Sequence, residues 1–166
     1  MKTKQTKILF VCLGNICRSP MAHGVMQYLV EKYECQNVFC KIDSCGMFGE
    51  AEGTQTHQRT ILEIQNQLNY QFMKPSRNWS AKDYDEYDLI LAMDKSNYFA
   101  ILKQLGKQKI SDNASKVKLF RDFDPKGKGN VMNPYGGEQI KYTQVFQIIE
   151  RTCNNIIQSH VQIQDK

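Results

Sequence analysis

The passage from residue 7 to residue 20 constrains the fold more than any other part of the chain. An apolar run, Ile8-Leu9-Phe10-Val11-Cys12, leads through a short loop to Ser19-Pro20, which reads as a helix start with serine at the cap and proline at the first helical position. A run with no polar face predicts a strand buried on both sides, so layers must cover it above and below. The pattern recurs at 39–44, 87–93 and 117–120, which read as further short strands. Helical spacing fills the intervals. It is carried by Met21, Val25, Met26, Leu29 and Val30, by Ile61, Leu62, Ile64 and Leu68, and by Phe99, Ile101, Leu102 and Leu105 ahead of Gly106 as a C-cap. The longest stripe, Ile140, Val145, Phe146, Ile148, Ile149, Cys153, Ile156 and Ile157, predicts a long final helix. Alternating strands and helices imply an α/β fold with a parallel sheet covered on both faces. Residues 46–53 and 122–137, rich in glycine, proline and acidic residues, read as loops. In such sheets ligands bind at the carboxyl ends of strands, so these loops and the one after the first strand are the candidates to line a site.

A chain of 166 residues is expected to form one domain over 1–166, burying roughly two thirds of its unfolded surface. No apolar stretch approaches the ~20 residues needed to cross a bilayer, and the run after the basic start is too short for a signal peptide. A cytoplasmic location without membrane attachment is the expectation. Six cysteines without a leader then argue for reduced thiols. The net charge of +5 favours anionic ligands, but Lys and Arg are scattered and no nucleic-acid motif accompanies them, so no nucleic-acid partner is expected. His23, His57 and His160 lack ligand spacing and are read as surface or structural. Cys35, Cys40 and Cys45 lack the tight pairs of a zinc site and are read as buried or partly buried thiols. No metal or cofactor is implied. Trp79, Tyr84 and Tyr87 are expected to pack the sheet edge.

The loop from Cys12 to Ser19 carries the chemistry. Folded over a helix N-terminus, the N–H groups of Leu13, Gly14, Asn15, Ile16, Cys17 and Arg18 can face inward as an anion nest reinforced by the helix dipole. The same field favours thiolate at Cys12, and the thiolate is the nucleophilic form. Arg18 adds a planar, permanently charged fork able to hold two phosphoryl oxygens. Gly14 lets the backbone approach a ligand, Asn15 tolerates a left-handed conformation, and Ser19 is near enough to donate a hydrogen bond to the sulfur.

These residues resemble the low-molecular-weight protein tyrosine phosphatases, whose signature Cys-Leu-Gly-Asn-Ile-Cys-Arg-Ser-Pro stands unbroken at 12–20. Further similarities are Asp43-Ser44-Cys45-Gly46, Arg59, Ser76-Arg77-Asn78 and Met93-Asp94. The resemblance implies a three-layer, flavodoxin-like sandwich of the phosphotyrosine protein phosphatase I type, with a four-stranded parallel sheet. It also implies metal-free hydrolysis of phosphotyrosine proteins and small aryl phosphates through a cysteinyl-phosphate, with inorganic phosphate or other oxyanions binding the site of a monomer or weak dimer. Cys12 would attack phosphorus, and Arg18 with the loop amides would hold the phosphate. Ile16 matches the tyrosine-specific members, whereas similar arginine phosphatases carry threonine there. Tyr135 would form an aromatic wall. Cys17 would permit a reversible disulfide with Cys12, so peroxide inactivation that thiols reverse is expected.

The sequence departs from the family where its general acid belongs. The family's Asp-Pro is here Asn133-Pro134. Asp124-Pro125 lies upstream, but the family has a similar upstream pair, and the spacing to the final helix assigns the acid position to Asn133. An amide neither gives nor takes a proton at useful pH. Three readings follow: a slow enzyme, a chain altered at one position to trap substrate, or a phosphotyrosine-binding homologue with little turnover. Arsenate reduction on the same fold would need further relay cysteines beyond Cys17. At the site mouth Glu50 stands where many relatives have an aromatic residue, His57 where they have aspartate and Lys74 where they have histidine. These read as loop variation or, for Glu50, as a relocated acid or a peptide-preference residue.

Overall fold

In the computed structural model, which describes residues 4–48, 52–113 and 116–164, the apolar run near the start forms β1 (Thr6–Cys12), with Ile8, Leu9, Phe10 and Val11 wholly buried. It is followed by α1 (Arg18–Lys32), β2 (Phe39–Gly46), α2 (Gln58–Leu68), α3 (Ala81–Glu86), β3 (Leu89–Ala92), α4 (Lys95–Asn113), β4 (Val117–Leu119), a 3-10 turn at Phe120–Phe123, and α5 (Gln139–Gln164). The strands form one parallel sheet in the order β2-β1-β3-β4. The α/β architecture with helices on both faces is the one expected from the alternation of patterns. The connection through α1 carries the chain to one side of β1, and the later return through β3 fills the other side. The carboxyl end of β1, at Cys12, therefore lies at the switch point where such sheets open a crevice.

Period-two alternation along the strands sends side chains into two cores. Ile8, Phe10, Leu89 and Leu91 pack with Met21, Val25 and Met26 of α1 and with Val145, Phe146 and Ile149 of α5. Leu9, Val11, Ile90 and Ala92 face Trp79, Tyr84, Tyr87 and Ile101. The three aromatics thus cover one face of the sheet and reach its β2 edge, where the Trp79 main-chain N–H donates to the Gly46 carbonyl at 2.7 Å and the Tyr87 hydroxyl to Asp43 at 3.2 Å. Helix α3 is too short to show a hydrophobic period, and its sequence sign is the capping box Ser80-x-x-Asp83. The Ser80 N–H donates to the Asp83 carboxylate at 2.8 Å, and the Ser80 hydroxyl accepts from the Lys82 N–H at 3.4 Å.

Gly106, expected as a C-cap, has φ 74° and breaks α4, with helical residues resuming beyond it. The fourth strand stops one residue early, and Phe120 instead opens the 3-10 turn and meets Phe10 edge-on at 5.8 Å. Cys40 is exposed, whereas the other five thiols are buried. Among the described residues no helix is long and apolar enough to cross a membrane.

Candidate active site

Residues 13–17 wrap over the start of α1 from the end of β1. Cys12 is buried, and its sulfur accepts the Asn15 N–H at 3.2 Å and lies 3.0 Å from Ser19 Oγ. The loop reverses at Asn15, which has φ 55°, a left-handed conformation that asparagine tolerates better than most residues. Its side chain is fully buried and fully used. Nδ2 donates to Ser19 Oγ at 2.9 Å and Ser44 Oγ at 3.0 Å, while Oδ1 accepts from Lys74 Nζ at 2.7 Å and the Arg77 N–H at 3.1 Å. Because Ser19 Oγ accepts from Asn15, its own proton remains for the Cys12 sulfur or for the Cys45 carbonyl at 3.3 Å.

Ser19 is therefore not the helix cap that the sequence suggested. The helix opens at Arg18 with Cys17 in the cap position and no side-chain cap bond, and Ser19 and Pro20 lie within its first turn. The hydroxyl that could have capped is engaged with Asn15 and Cys12, and the leading N–H groups stay available to an anion.

Arg18 is buried, and one terminal nitrogen donates to Asp94 Oδ2 at 2.6 Å and to the Val131 carbonyl at 3.0 Å. Asp94 is itself held, because its other oxygen accepts the Asn97 N–H at 2.8 Å at the start of α4. The guanidinium is thus fixed from behind. Cys12, Leu13, Gly14, Ile16, Cys17, Arg18, Asn133 and Tyr135 line one cavity of about 130 Å³. Leu13 and Tyr135 are exposed at its mouth, and Asn133 Oδ1 accepts the Tyr135 N–H at 3.2 Å. Asp124 does not line this cavity. Its carboxylate is enclosed by Arg121 at 2.9 Å and by two nitrogens of Arg151 at 2.8 Å each. Glu50 lies outside the described residues.

Three further side chains join the site from a distance in sequence. Lys74 Nζ also donates to the Ser44 carbonyl at 2.9 Å, and burial lowers its pKa, an effect that Asp43 opposes. Tyr142 places its hydroxyl 3.5 Å from Cys17 Sγ and 3.4 Å from His57 Nδ1. His57, which the resemblance puts at the site mouth, borders the site: its ring stacks on Tyr142 at 5.5 Å and meets Tyr135 edge-on at 5.8 Å. Its N–H donates to the Ile16 carbonyl at 2.8 Å, tying the head of α2 to the loop. Burial, then Arg59, lowers the His57 pKa, and burial raises that of the Cys17 thiol. Beneath the loop, His23 lies 3.2 Å from Ser44 Oγ, and burial holds its pKa down to about 4, so it is neutral at neutral pH.

The clamp of Asp94 on Arg18 and the place of Tyr142 join residues 76 and 125 positions apart, beyond the reach of local pattern. A signal for Tyr142 existed, since a hydroxyl on the buried stripe of α5 must find a partner inside the protein. Chemically, a sulfur that accepts the Asn15 N–H and lies within hydrogen-bond reach of the Ser19 hydroxyl, a buried guanidinium and a helix N-terminus around one small cavity can hold a tetrahedral oxyanion against sulfur.

Comparisons with known proteins bear on this geometry. The family model described as low molecular weight phosphotyrosine protein phosphatase matches residues 7–166. The low molecular weight phosphotyrosine protein phosphatase of Schizosaccharomyces pombe is 38% identical over 136 residues, covering 81% of this chain and 84% of that protein. A protein tyrosine phosphatase from Entamoeba histolytica, crystallised with Hepes in its active site, has a TM-score of 0.81 and 33% identity, covering 92% of this chain and 95% of that one. YfkJ from Bacillus subtilis has a TM-score of 0.83 and 29% identity over 99% of both chains.

Proposed function

The chain belongs to the low molecular weight phosphotyrosine protein phosphatase family, and on that premise we propose that it hydrolyses phosphotyrosine and small aryl phosphates through a cysteinyl-phosphate. The observation that carries the reading is the Cys12 sulfur, hydrogen-bonded by Asn15 and Ser19 in the same 130 Å³ cavity as the Arg18 guanidinium. With one terminal nitrogen of Arg18 committed to Asp94 and Val131, the remaining edge of the fork has no partner among the described residues and can bind two phosphoryl oxygens. The loop amides take the rest of the negative charge.

In the first step the Cys12 thiolate attacks phosphorus, the S–P bond forms, and the bond to the aryl oxygen breaks. In the second, water attacks the cysteinyl-phosphate, the S–P bond breaks, and inorganic phosphate leaves with the thiolate restored. Ser19 stabilises the departing sulfur by donating its proton in a hydrogen bond. Ile16 and Tyr135, at the cavity wall, offer apolar surface to an aromatic ring. The charge is neutralised by guanidinium and amides, so the chemistry calls for no metal. Residues 1–166 act as one cytoplasmic phosphatase domain, monomeric or weakly dimeric.

Asn133 sits where the family's general acid stands and can hydrogen-bond the leaving oxygen without protonating it. Such a loss costs ~10² to 10⁴ in rate, most for leaving groups that need a proton. This residue favours a second reading, a phosphotyrosine-binding homologue with little turnover. Kinetics of the parent, Asn133→Asp and Cys12→Ser on p-nitrophenyl phosphate and phosphotyrosine separate the two. Asn133→Asp is expected to raise phosphotyrosine turnover by about 10² or more and to help the activated aryl phosphate less. Absence of turnover in both the parent and Asn133→Asp, with phosphotyrosine still bound, would establish the binding module instead.

A further inference from the structure

The loop that closes over the Cys12 cavity is held from its outer side by the first turn of α2. The His57 N–H donates to the Ile16 carbonyl at 2.8 Å. The hydroxyl of the wholly buried Thr60 donates to the Cys17 carbonyl at 3.4 Å, an oxygen that also accepts the Met21 N–H at 3.1 Å. Both donors belong to one turn, because the Thr60 N–H donates back to the His57 carbonyl at 3.0 Å. That turn is itself fixed to the head of α5, where the Gln139 amide donates to the Arg59 carbonyl at 3.0 Å and to Glu63 at 2.8 Å.

A trans peptide is planar, with its C=O and N–H pointing in opposite directions. A carbonyl drawn toward α2 therefore turns the N–H of the next residue the other way. Holding the Ile16 carbonyl aims the Cys17 N–H, and holding the Cys17 carbonyl aims the Arg18 N–H. Both then face away from α2, toward the cavity that Ile16, Cys17 and Arg18 line and to which α2 contributes no residue. Among the described residues neither N–H meets an acceptor of its own. Cys17 stands at the cap position of α1 without a side-chain cap bond, so the loop's own side chains do not set these two peptides. Donors already turned toward an anion need no reorganisation when charge arrives on it, which is the condition under which they accelerate a reaction.

We propose that His57, through its main-chain N–H, and Thr60, through its hydroxyl, are positioning residues for the oxyanion, bracing from α2 the two peptides whose N–H groups receive it. Neither residue touches the substrate; each acts through a carbonyl of the Cys12 loop. The proposal rests on the phosphatase reading and deepens it, extending the phosphate-binding machinery to the first turn of a helix outside the cavity. His57 also offers a clean probe, since its φ of −58° is one that a proline ring adopts, and proline has no N–H to donate.

The test compares alkylation of Cys12 by iodoacetate, whose carboxylate uses the loop amides, with alkylation by neutral iodoacetamide; sulfur displaces iodide in both, and mass spectrometry of the Cys12 peptide follows each rate. The parent should favour iodoacetate by about tenfold or more. His57→Ala loses the imidazole and keeps the N–H, whereas His57→Pro loses both, so the preference in His57→Pro should fall about tenfold below that in His57→Ala. Thr60→Val should fall about threefold below Thr60→Ser, which restores the hydroxyl. The kcat on p-nitrophenyl phosphate should rank the four variants in the same order. Urea unfolding shows that the members of each pair are folded under the assay, and where His57→Pro is not, the Thr60 pair decides. Equal preferences within the folded pairs would overturn the brace alone. A parent that favours iodoacetate yet hydrolyses no aryl phosphate would overturn the phosphatase reading, while variants ranked as above would still support the brace on an anion site.

Discussion

Lys74 donates to Asn15 Oδ1 and so decides which end of that amide faces Ser19. With the oxygen held by lysine and by the Arg77 N–H, the nitrogen must point to Ser19 Oγ, and the serine proton is left for sulfur or for the Cys45 carbonyl. A cation two hydrogen bonds from the serine thus sets the polarity of a chain ending on Cys12. Replacing it by Lys74→Met lets the amide turn over and the serine proton be spent elsewhere. We expect kcat on p-nitrophenyl phosphate to fall about tenfold with little change in KM, and Lys74→Gln, which keeps a donor, to retain most of the rate. Equal kcat in the parent and Lys74→Met would remove this role. The sequence placed Lys74 only at the site mouth, as loop variation. Its bond to a residue 59 positions away depends on how residues 74–76 pair with 54–56 beside the end of β2, which no local pattern encodes.

The end of β2 and the loop after β1 meet backbone to backbone, and Gly46 marks the contact. A Cβ there would stand 2.7 Å from the Leu13 carbonyl oxygen and 3.0 Å from the Asn15 nitrogen. Neither atom can swing aside like a side chain, so the loop itself must move. Gly24, in α1, is a contrasting case: its Cβ would meet the Phe72 ring at 2.7 Å and Ile64 at 3.0 Å, well within the core. Both alanine variants should lose about 1–3 kcal/mol of stability from overpacking. Gly46→Ala should also weaken inorganic phosphate binding about tenfold, because the amides that face the anion shift, while Gly24→Ala should leave it near the parent value. Titration calorimetry with phosphate, paired with urea unfolding, checks this, and equal phosphate affinity in the two variants would refute it. The elements themselves were largely readable from sequence, since buried strands and amphipathic helices announce themselves by periodicity. The short α3 was not, because six residues hold too few turns for a period to emerge, and its capping box was the only available sign.

Across the whole molecule, Asp124 ties the 3-10 turn to α5 through Arg121 and Arg151. Burial alone would raise its pKa, but the Arg151 guanidinium, the Lys126 N–H and Arg121 overcome it and hold it down to about 2. A carboxyl depressed on folding contributes stability that is complete above its unfolded pKa of about 3.9 and is lost as the pH falls through its folded value. Asp124→Asn should therefore cost roughly 2 kcal/mol at pH 7, and the gap from the parent should close between about pH 4 and pH 2. Urea denaturation across that range measures it, and a gap that stays constant with pH would show that the ion pairs contribute nothing. The same carboxylate illustrates the division between chain and fold. The sequence by itself determined the parallel α/β sheet, the strand-loop-helix at 8–20 and the cysteine-arginine nest within it, because each rests on periodicity or on residues a few positions apart. The family resemblance already put Asn133, in preference to Asp124, and Tyr135 at the site; only the tertiary structure decided that Asp124 is enclosed by arginines, that Asp94 clamps Arg18, and that Tyr142 stands between Cys17 and His57. Those partners come from different elements, and which side chains meet depends on helix rotation and strand register, set by the packing of both cores at once.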